Sequence, residues 1–333
     1  MDNLTAIVLS IFFGLTPMLF FAYLVYWTDR YEREPKTLLF GVFLWGAIVA
    51  AGSSFLVNTI IGRGVYNLTT SEALAGITTG IMIAPVVEEA LKGLAVLIIF
   101  LAFRNEFDSI LDGIVYAAIT ALGFAATENI FYIYNYGYAE AGFSGLVWLV
   151  FVRVVLVGWQ HPFYTAFSGI GLAVARLSKY TWVKTVAPLI GFSIALLTHA
   201  FHNLLAIFIQ DLGGLAISTF IDWSGWLVMI LFILWALYRE QQWIVIHLND
   251  EVSLGTISTT QYQTACSGKR QFSARLKALF SGNYYPTHHF YLAAAELAYK
   301  KHQLASFGDE GGNTQIILQL RSRLAKLSSK ALA

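Results

Sequence analysis

The side chains of this 333-residue chain that could do chemistry fall in four clusters within apolar surroundings. Glu88, Glu89 and Lys92 interrupt the stretch Ala84 to Phe100, and Glu128 and Asn129 follow Phe124. Arg153 precedes His161, and His199 is followed by His202 and Asn203. At about 100° per residue, Glu88 and Lys92 share one helical face, with Glu89 about a quarter turn away. Lys92 stands four residues after Glu88, the favourable direction for an ion pair, which would keep one carboxylate charged and leave the other for proton transfer. His199, His202 and Asn203 occupy one arc of about 100° and can project into a shared cavity. Two hydrolytic chemistries suit the set. Carboxylate and imidazole ligands can build a catalytic zinc site holding an activated water. A glutamate alone can also act as general base on water, with histidine and asparagine side chains stabilising the developing oxyanion.

The elements that must carry these residues follow from composition. Hydrophobic residues make up 57% of the chain and charged residues 12%, against about a quarter charged in soluble proteins. Several apolar runs reach the roughly 20 residues that cross a bilayer, and a lipid interior leaves no backbone group unpaired. The expected fold is all-α, a polytopic membrane helix bundle of about seven transmembrane helices near 4–27, 38–61, 76–102, 110–134, 145–175, 184–209 and 224–246. The clusters then sit on the third to sixth helices, while the first two and the seventh carry essentially none away from their ends. Ionisable groups inside a membrane are expensive, and a functional role is their default reading. Blander roles exist for each residue alone. Glu88 with Lys92 can be a structural ion pair, His202 a packing residue, Arg153 a counter-charge for Glu89, and Asp112 the start of the fourth helix. Asp29 to Glu34 reads as an interfacial loop. Pro162 should weaken the fifth helix beside His161.

Basic residues set the expected orientation. Arg30, Arg33 and Lys36, then Arg104, then Arg176, Lys179 and Lys184 fall in the odd-numbered connections. The N-terminus is therefore expected outside and the C-terminus in the cytoplasm, in a multi-pass protein of the plasma (inner) membrane. By depth, Glu88, Glu128 and His199 lie in the outer halves of their spans, so water should enter from the extracytoplasmic side. Residues 1–246 form the membrane domain. Residues 247–333 read as a small cytosolic tail with amphipathic helices near 272–280, 287–303 and 314–327, and nothing in it suggests chemistry. The lone Cys266 excludes an internal disulfide framework and a cysteine-built zinc site. The net charge of +1 points to no particular partner, and no nucleic acid is expected.

Read in order, the clusters resemble the PrsW family of intramembrane proteases, distant relatives of the CAAX prenyl endopeptidases. "EEALK" (Glu88 to Lys92) matches an EExxK element and "FAATEN" (Phe124 to Asn129) an FxxxEN element. His161 stands for a solitary histidine of the next helix, and "HAFHN" (His199 to Asn203) for HxxxN. "DRYEREP" (Asp29 to Pro35) is similar to the loop that follows the first span in these proteins. The resemblance covers about residues 20–210. It implies hydrolysis of a peptide bond in a membrane-anchored protein, with Glu88 and Glu89 as the catalytic pair. It also implies Glu128, His161 and His199 as metal ligands or transition-state partners, Asn203 as an oxyanion or orienting donor, and zinc as the candidate cofactor. Lys92, Asn129 and His202 take supporting places. A proton- or metal-coupled transporter and a non-catalytic membrane scaffold are the alternatives. Against the transporter, the clusters fill one block of helices with no second copy.

Overall fold

The computed structural model describes residues 2–29, 33–208 and 211–333. Arg30, Tyr31 and Glu32 of the Asp29–Pro35 loop, and Ile209 at the end of the sixth expected span, lie outside the described residues. Among the described residues every regular element is helical. The chain divides into two compact units, one reaching Leu231 and a second built on residues 232–333. Helix α10, defined below, runs through this division and through the composition change at 246/247.

The first unit begins with α1 (Asn3–Thr28). Next, α2 (Lys36–Leu44) continues through a π-helical stretch (Trp45–Ala50) into α3 (Ala51–Thr69), and α4 (Glu72–Thr78) through a second (Thr79–Ile83) into α5 (Ala84–Ala102). α6 (Ile110–Tyr132) is followed by α7 (Ala139–Val150), with π-helical turns at Ile133–Tyr138 and Phe151–Leu156. α8 (Gln160–Leu177), α9 (Thr181–Phe208) and α10 (Leu212–Ser253) complete it. Among the described residues, five stretches are long and apolar enough to cross a membrane: Asn3–Thr28, Lys36–Thr69, Ile110–Leu177, Thr181–Phe208 and Leu212–Ser253. The hydropathy reading expects seven. The difference has two sources: α5 carries Glu88, Glu89 and Lys92, and the single stretch Ile110–Leu177 takes in both 110–134 and 145–175, joined across non-helical backbone at Ala141 and Gly142.

The fifth span, expected over 145–175 with a weak point beside Pro162, is interrupted at Val157–Trp159. Pro162 explains where. Proline lacks the N–H that would bond to the carbonyl four residues earlier, and its ring crowds that carbonyl, but it fits a first turn. The break at Val157–Trp159 leaves Pro162 in the first turn of α8, beside His161.

α6 is the axis of this unit. It is buried along most of its length, and its inner surface is rich in Gly and Ala, the residues that let membrane helices approach closely. A Cβ on Gly123 would stand 2.0 Å from the Phe43 carbonyl oxygen, and one on Gly169 1.9 Å from that of Gly113. These crossings seat α6 against the α2 segment on one side and α8 on the other. As expected, Asp112 starts α6, in a reciprocal cap with Ser109: the Ser109 hydroxyl accepts from the Asp112 N–H, and the Asp112 carboxylate accepts from the Ser109 N–H at 2.6 Å. Asp29 and Glu34 bound the stretch expected as an interfacial loop. Both are buried, and Glu34 accepts a hydrogen bond from Tyr116 of α6.

In the second unit the end of α10 is joined by α11 (Thr259–Ala265), α12 (Gly268–Phe280), α13 (Tyr284–Phe307) and α14 (Asn313–Ser328). Ile244, Leu248, Phe290, Leu297, Leu320 and Leu324 form its core. Glu251, fully buried, is held by Lys301 at 2.9 Å and Arg321 at 2.8 Å. His302 stacks on Trp243 at 4.0 Å. Burial, with the neighbouring His247 and Arg239, pushes the His302 pKa down to about 4. The unfolded chain binds this proton near pH 6.5, so stability is full above that value and falls as pH drops from about 6.5 toward 4. Thermal unfolding of the solubilised chain should show this loss, and His302→Phe should reduce it.

Candidate active site

Four helices bring the expected residues together. Glu88, Glu89 and Lys92 lie on the inward face of α5, all buried, while Val86, Leu94 and Leu101 of the same helix are exposed. Lys92 is fully buried and stands at the centre. Its ammonium is 2.6 Å from Glu89 Oε1 and 3.9 Å from Glu88 Oε2. It also meets His161 Nδ1 at 3.1 Å and lies 4.3 Å from the centre of the Phe124 ring. The close ion pair is thus with Glu89, three residues back, not with Glu88 as the i,i+4 rule suggests. Both spacings fall on one helical face, and Glu89 wins because two further helices hold it. Thr165 of α8 donates to its Oε2 at 2.8 Å, and His199 Nδ1 of α9 meets its Oε1 at 2.9 Å.

The histidine tautomers follow from their partners. An ammonium can only donate, so His161 Nδ1 accepts from Lys92, and its Nε2–H donates to Glu128 Oε2 at 2.8 Å. A carboxylate can only accept, so His199 Nδ1 carries a proton toward Glu89, which leaves Nε2 as an acceptor. That nitrogen stands 3.7 Å from Glu88 Oε2. Tyr164 stacks on the His199 ring at 4.7 Å.

Arg153, expected to neutralise Glu89, pairs instead with Glu128 at 2.5 Å and donates to Asn129 Oδ1 at 2.9 Å. It lies on the π-helical turn before the break, which serves the α6 pair. Asn203 does not aim its donor at an oxyanion: its Nδ2 donates to the Gly80 carbonyl at 2.8 Å, tying α9 to the π-helical stretch that leads into α5. His202 turns to Asp222 of α10, with Nδ1 2.9 Å from its carboxylate. The seventh helix therefore does contribute a buried charge. Starting the span at 224 hid Asp222, since α10 begins at Leu212. Thr165 and Tyr164 were also missed, although Thr165 lies four residues after His161 and so shares its face. Glu88, Glu128, Asn129, Arg153, His161, His199, His202 and Asn203 all line one cavity of about 250 Å³. Glu88 Oε2 is buried there and has no hydrogen-bond partner among the described residues.

Residues 34–237 match a family model described as PrsW family intramembrane metalloprotease. The chain belongs to the PrsW family. It is 27% identical over 180 residues to a protease PrsW of Geobacillus kaustophilus, covering 53% of this chain and 72% of that one. It is 36% identical over 122 residues to a protease PrsW of Clostridioides difficile (37% and 49%), and 28% identical over 185 residues to that of Bacillus subtilis (53% and 75%). No solved structure matches. The membership makes this integral membrane protein an intramembrane protease.

The PrsW family description implies a metal, and the cavity can be tested for one. Among the described residues, Glu88, His161 and His199 each offer a ligand atom, all within 4.8 Å of one another. Glu88 Oε2 needs a partner, and His199 already has the carboxylate behind its other nitrogen that orients metal-binding imidazoles. These two fit a divalent cation. His161 joins only by giving up its bond to Lys92 or to Glu128. Glu128, expected as the third ligand, instead stands behind His161, with Arg153 on the same oxygen.

Removing the central charge should be costly. Lys92→Met would leave Glu89 buried without its counter-charge, and thermal unfolding in detergent should show a loss of about 3–5 kcal/mol. Thr165→Val, which removes one neutral donor, should cost about 1 kcal/mol.

Proposed function

We propose that this PrsW-family protease cleaves a membrane-anchored protein by using Glu88 to take a proton from the attacking water. The observation that carries the reading is the contrast between two adjacent glutamates. Glu89 is saturated by Lys92, Thr165 and His199, whereas Glu88 keeps a buried, unpartnered oxygen in the cavity wall. Glu89 therefore orients Lys92 and His199, and Glu88 is free for chemistry.

Water attacks the scissile carbonyl carbon as Glu88 accepts its proton, and the tetrahedral oxyanion forms. The same proton then passes to the leaving nitrogen as the C–N bond breaks. His199 Nε2, an acceptor 3.7 Å from Glu88 Oε2, helps to orient the water. Arg153 and the Asn129 amide nitrogen, which has no hydrogen-bond partner among the described residues, line the cavity and are the donors for the oxyanion. They replace Asn203, whose donor is committed to Gly80. A divalent metal, when bound, would be held by Glu88 and His199, joined by His161 where that ring released Lys92 or Glu128, and would supply Lewis-acid activation of the water.

The basic connections support an N-terminus outside, a C-terminus in the cytoplasm and residence in the plasma membrane. Residues 247–333 then lie on the cytoplasmic side, and water reaches the cavity from the outside.

Purified chain and its Glu88→Gln variant should be incubated with single-span substrates, with and without a chelator. Glu88→Gln should lower kcat by at least about 10²-fold, and undiminished cleavage would refute the assignment. Chelator sensitivity reports the metal. In a Cys266→Ser background, Ala84→Cys and Ala206→Cys, both in the cavity wall, should react faster with impermeant thiol reagents added outside than with those added inside.

A further inference from the structure

One side chain in the cavity wall has no task in the chemistry above. Gln160 is 3% exposed, yet neither its amide oxygen nor its amide nitrogen has a hydrogen-bond partner among the described residues. It opens α8 directly after the break at Val157–Trp159 and lines the same cavity as Glu88. Tyr164, one turn later on the same face, also lines the cavity, and its buried hydroxyl is likewise without a partner among the described residues. The hydroxyl lies at the tip of the ring that stacks on His199. A buried amide left unpaired on both of its groups is unfavourable, so its presence at this position points to a ligand.

The chemistry of that ligand follows from the group that waits for it. A carboxamide presents an N–H donor and a C=O acceptor side by side in a single plane, which matches the C=O and N–H of a peptide unit. A membrane-spanning substrate needs such a partner. Its scissile carbonyl is shielded while the segment is helical, and unwinding releases backbone groups that lipid cannot satisfy. The protease must satisfy them in its place.

We propose that Gln160, assisted by the Tyr164 hydroxyl, hydrogen-bonds the unwound main chain of the substrate beside the scissile bond. This rests on reading the Glu88 cavity as the site of proteolysis. Gln160 is then a binding residue, and the contact is made to backbone, so it accepts many side chains and favours segments that unwind readily.

The test uses the full chain in detergent and a fluorogenic single-span peptide that the wild type cleaves. Gln160→Met keeps the shape and removes both polar groups. It should raise KM roughly tenfold and leave kcat within about twofold, the pattern of a lost binding contact. Its melting temperature should hold or rise, because a buried unpaired amide has been removed. Tyr164→Phe should raise KM in the same direction by a smaller factor, and it carries the test if Gln160→Met does not fold. Substrates with an ester in place of one amide flanking the cut should lose affinity for the wild type at one position and show no further loss in Gln160→Met. An unchanged KM in both variants, or in Tyr164→Phe alone where Gln160→Met does not fold, overturns the proposal. If those results come with an inactive Glu88→Gln, the proteolytic reading stands and only the Gln160 contact falls. Full activity in Glu88→Gln removes the reading of the cavity itself.

Discussion

The ammonium of Lys92 is the group around which the membrane unit is organised. It is fully buried, and an uncompensated charge there would be untenable. Its compensation draws on three helices: Glu89 from α5 itself, the Phe124 ring from α6, and His161 from α8. Those partners recruit the rest, because Glu89 fixes Thr165 and His199, and His161 fixes Glu128 and through it Arg153. A single cation thereby sets two imidazole tautomers and two carboxylate orientations. Glu88 Oε2, buried without a hydrogen-bond partner among the described residues, is the position proposed above as reactive. Geometry that catalysis needs is thus built from interactions that stability demands.

The same network explains which parts of the site were legible in the sequence. Four polar clusters stand out because almost any other pattern in lipid is apolar, and helical periodicity puts each cluster on one face. Pairing was not legible. Glu88 and Glu89 are each one turn from Lys92, and only Thr165 and His199, residues on other helices, decide between them. Arg153 posed the same problem. Sequence distance gives no hint that it reaches Glu128 and Asn129, because the π-helical turn that carries it shifts its face. Asn203 fits an oxyanion donor by residue type, yet the carbonyl it meets belongs to Gly80, which no motif marks.

At the level of the fold, hydropathy located the apolar helices but not their interruptions. Pro162 signalled a weak point, and the break lies upstream of it because proline disturbs the preceding turn and tolerates its own. The amphipathic segments after residue 247 appear as α12, α13 and α14, where apolar periodicity meets a water-facing core. Asp222 escaped notice for a simpler reason: charge near a span's edge is discounted, and the edge of α10 lies further out.

The π-helical stretches have a consequence for how such a sequence can change. Each one is a helix carrying one residue beyond its α-helical complement, and one residue amounts to about 100° of rotation. The stretch Thr79–Ile83 stands directly before the turn that bears Glu88 and Glu89. Its surplus residue therefore acts as a phase setting for everything downstream in α5. Deleting a single residue there would leave composition, hydropathy and every motif intact, and would turn both glutamates and the lysine toward lipid.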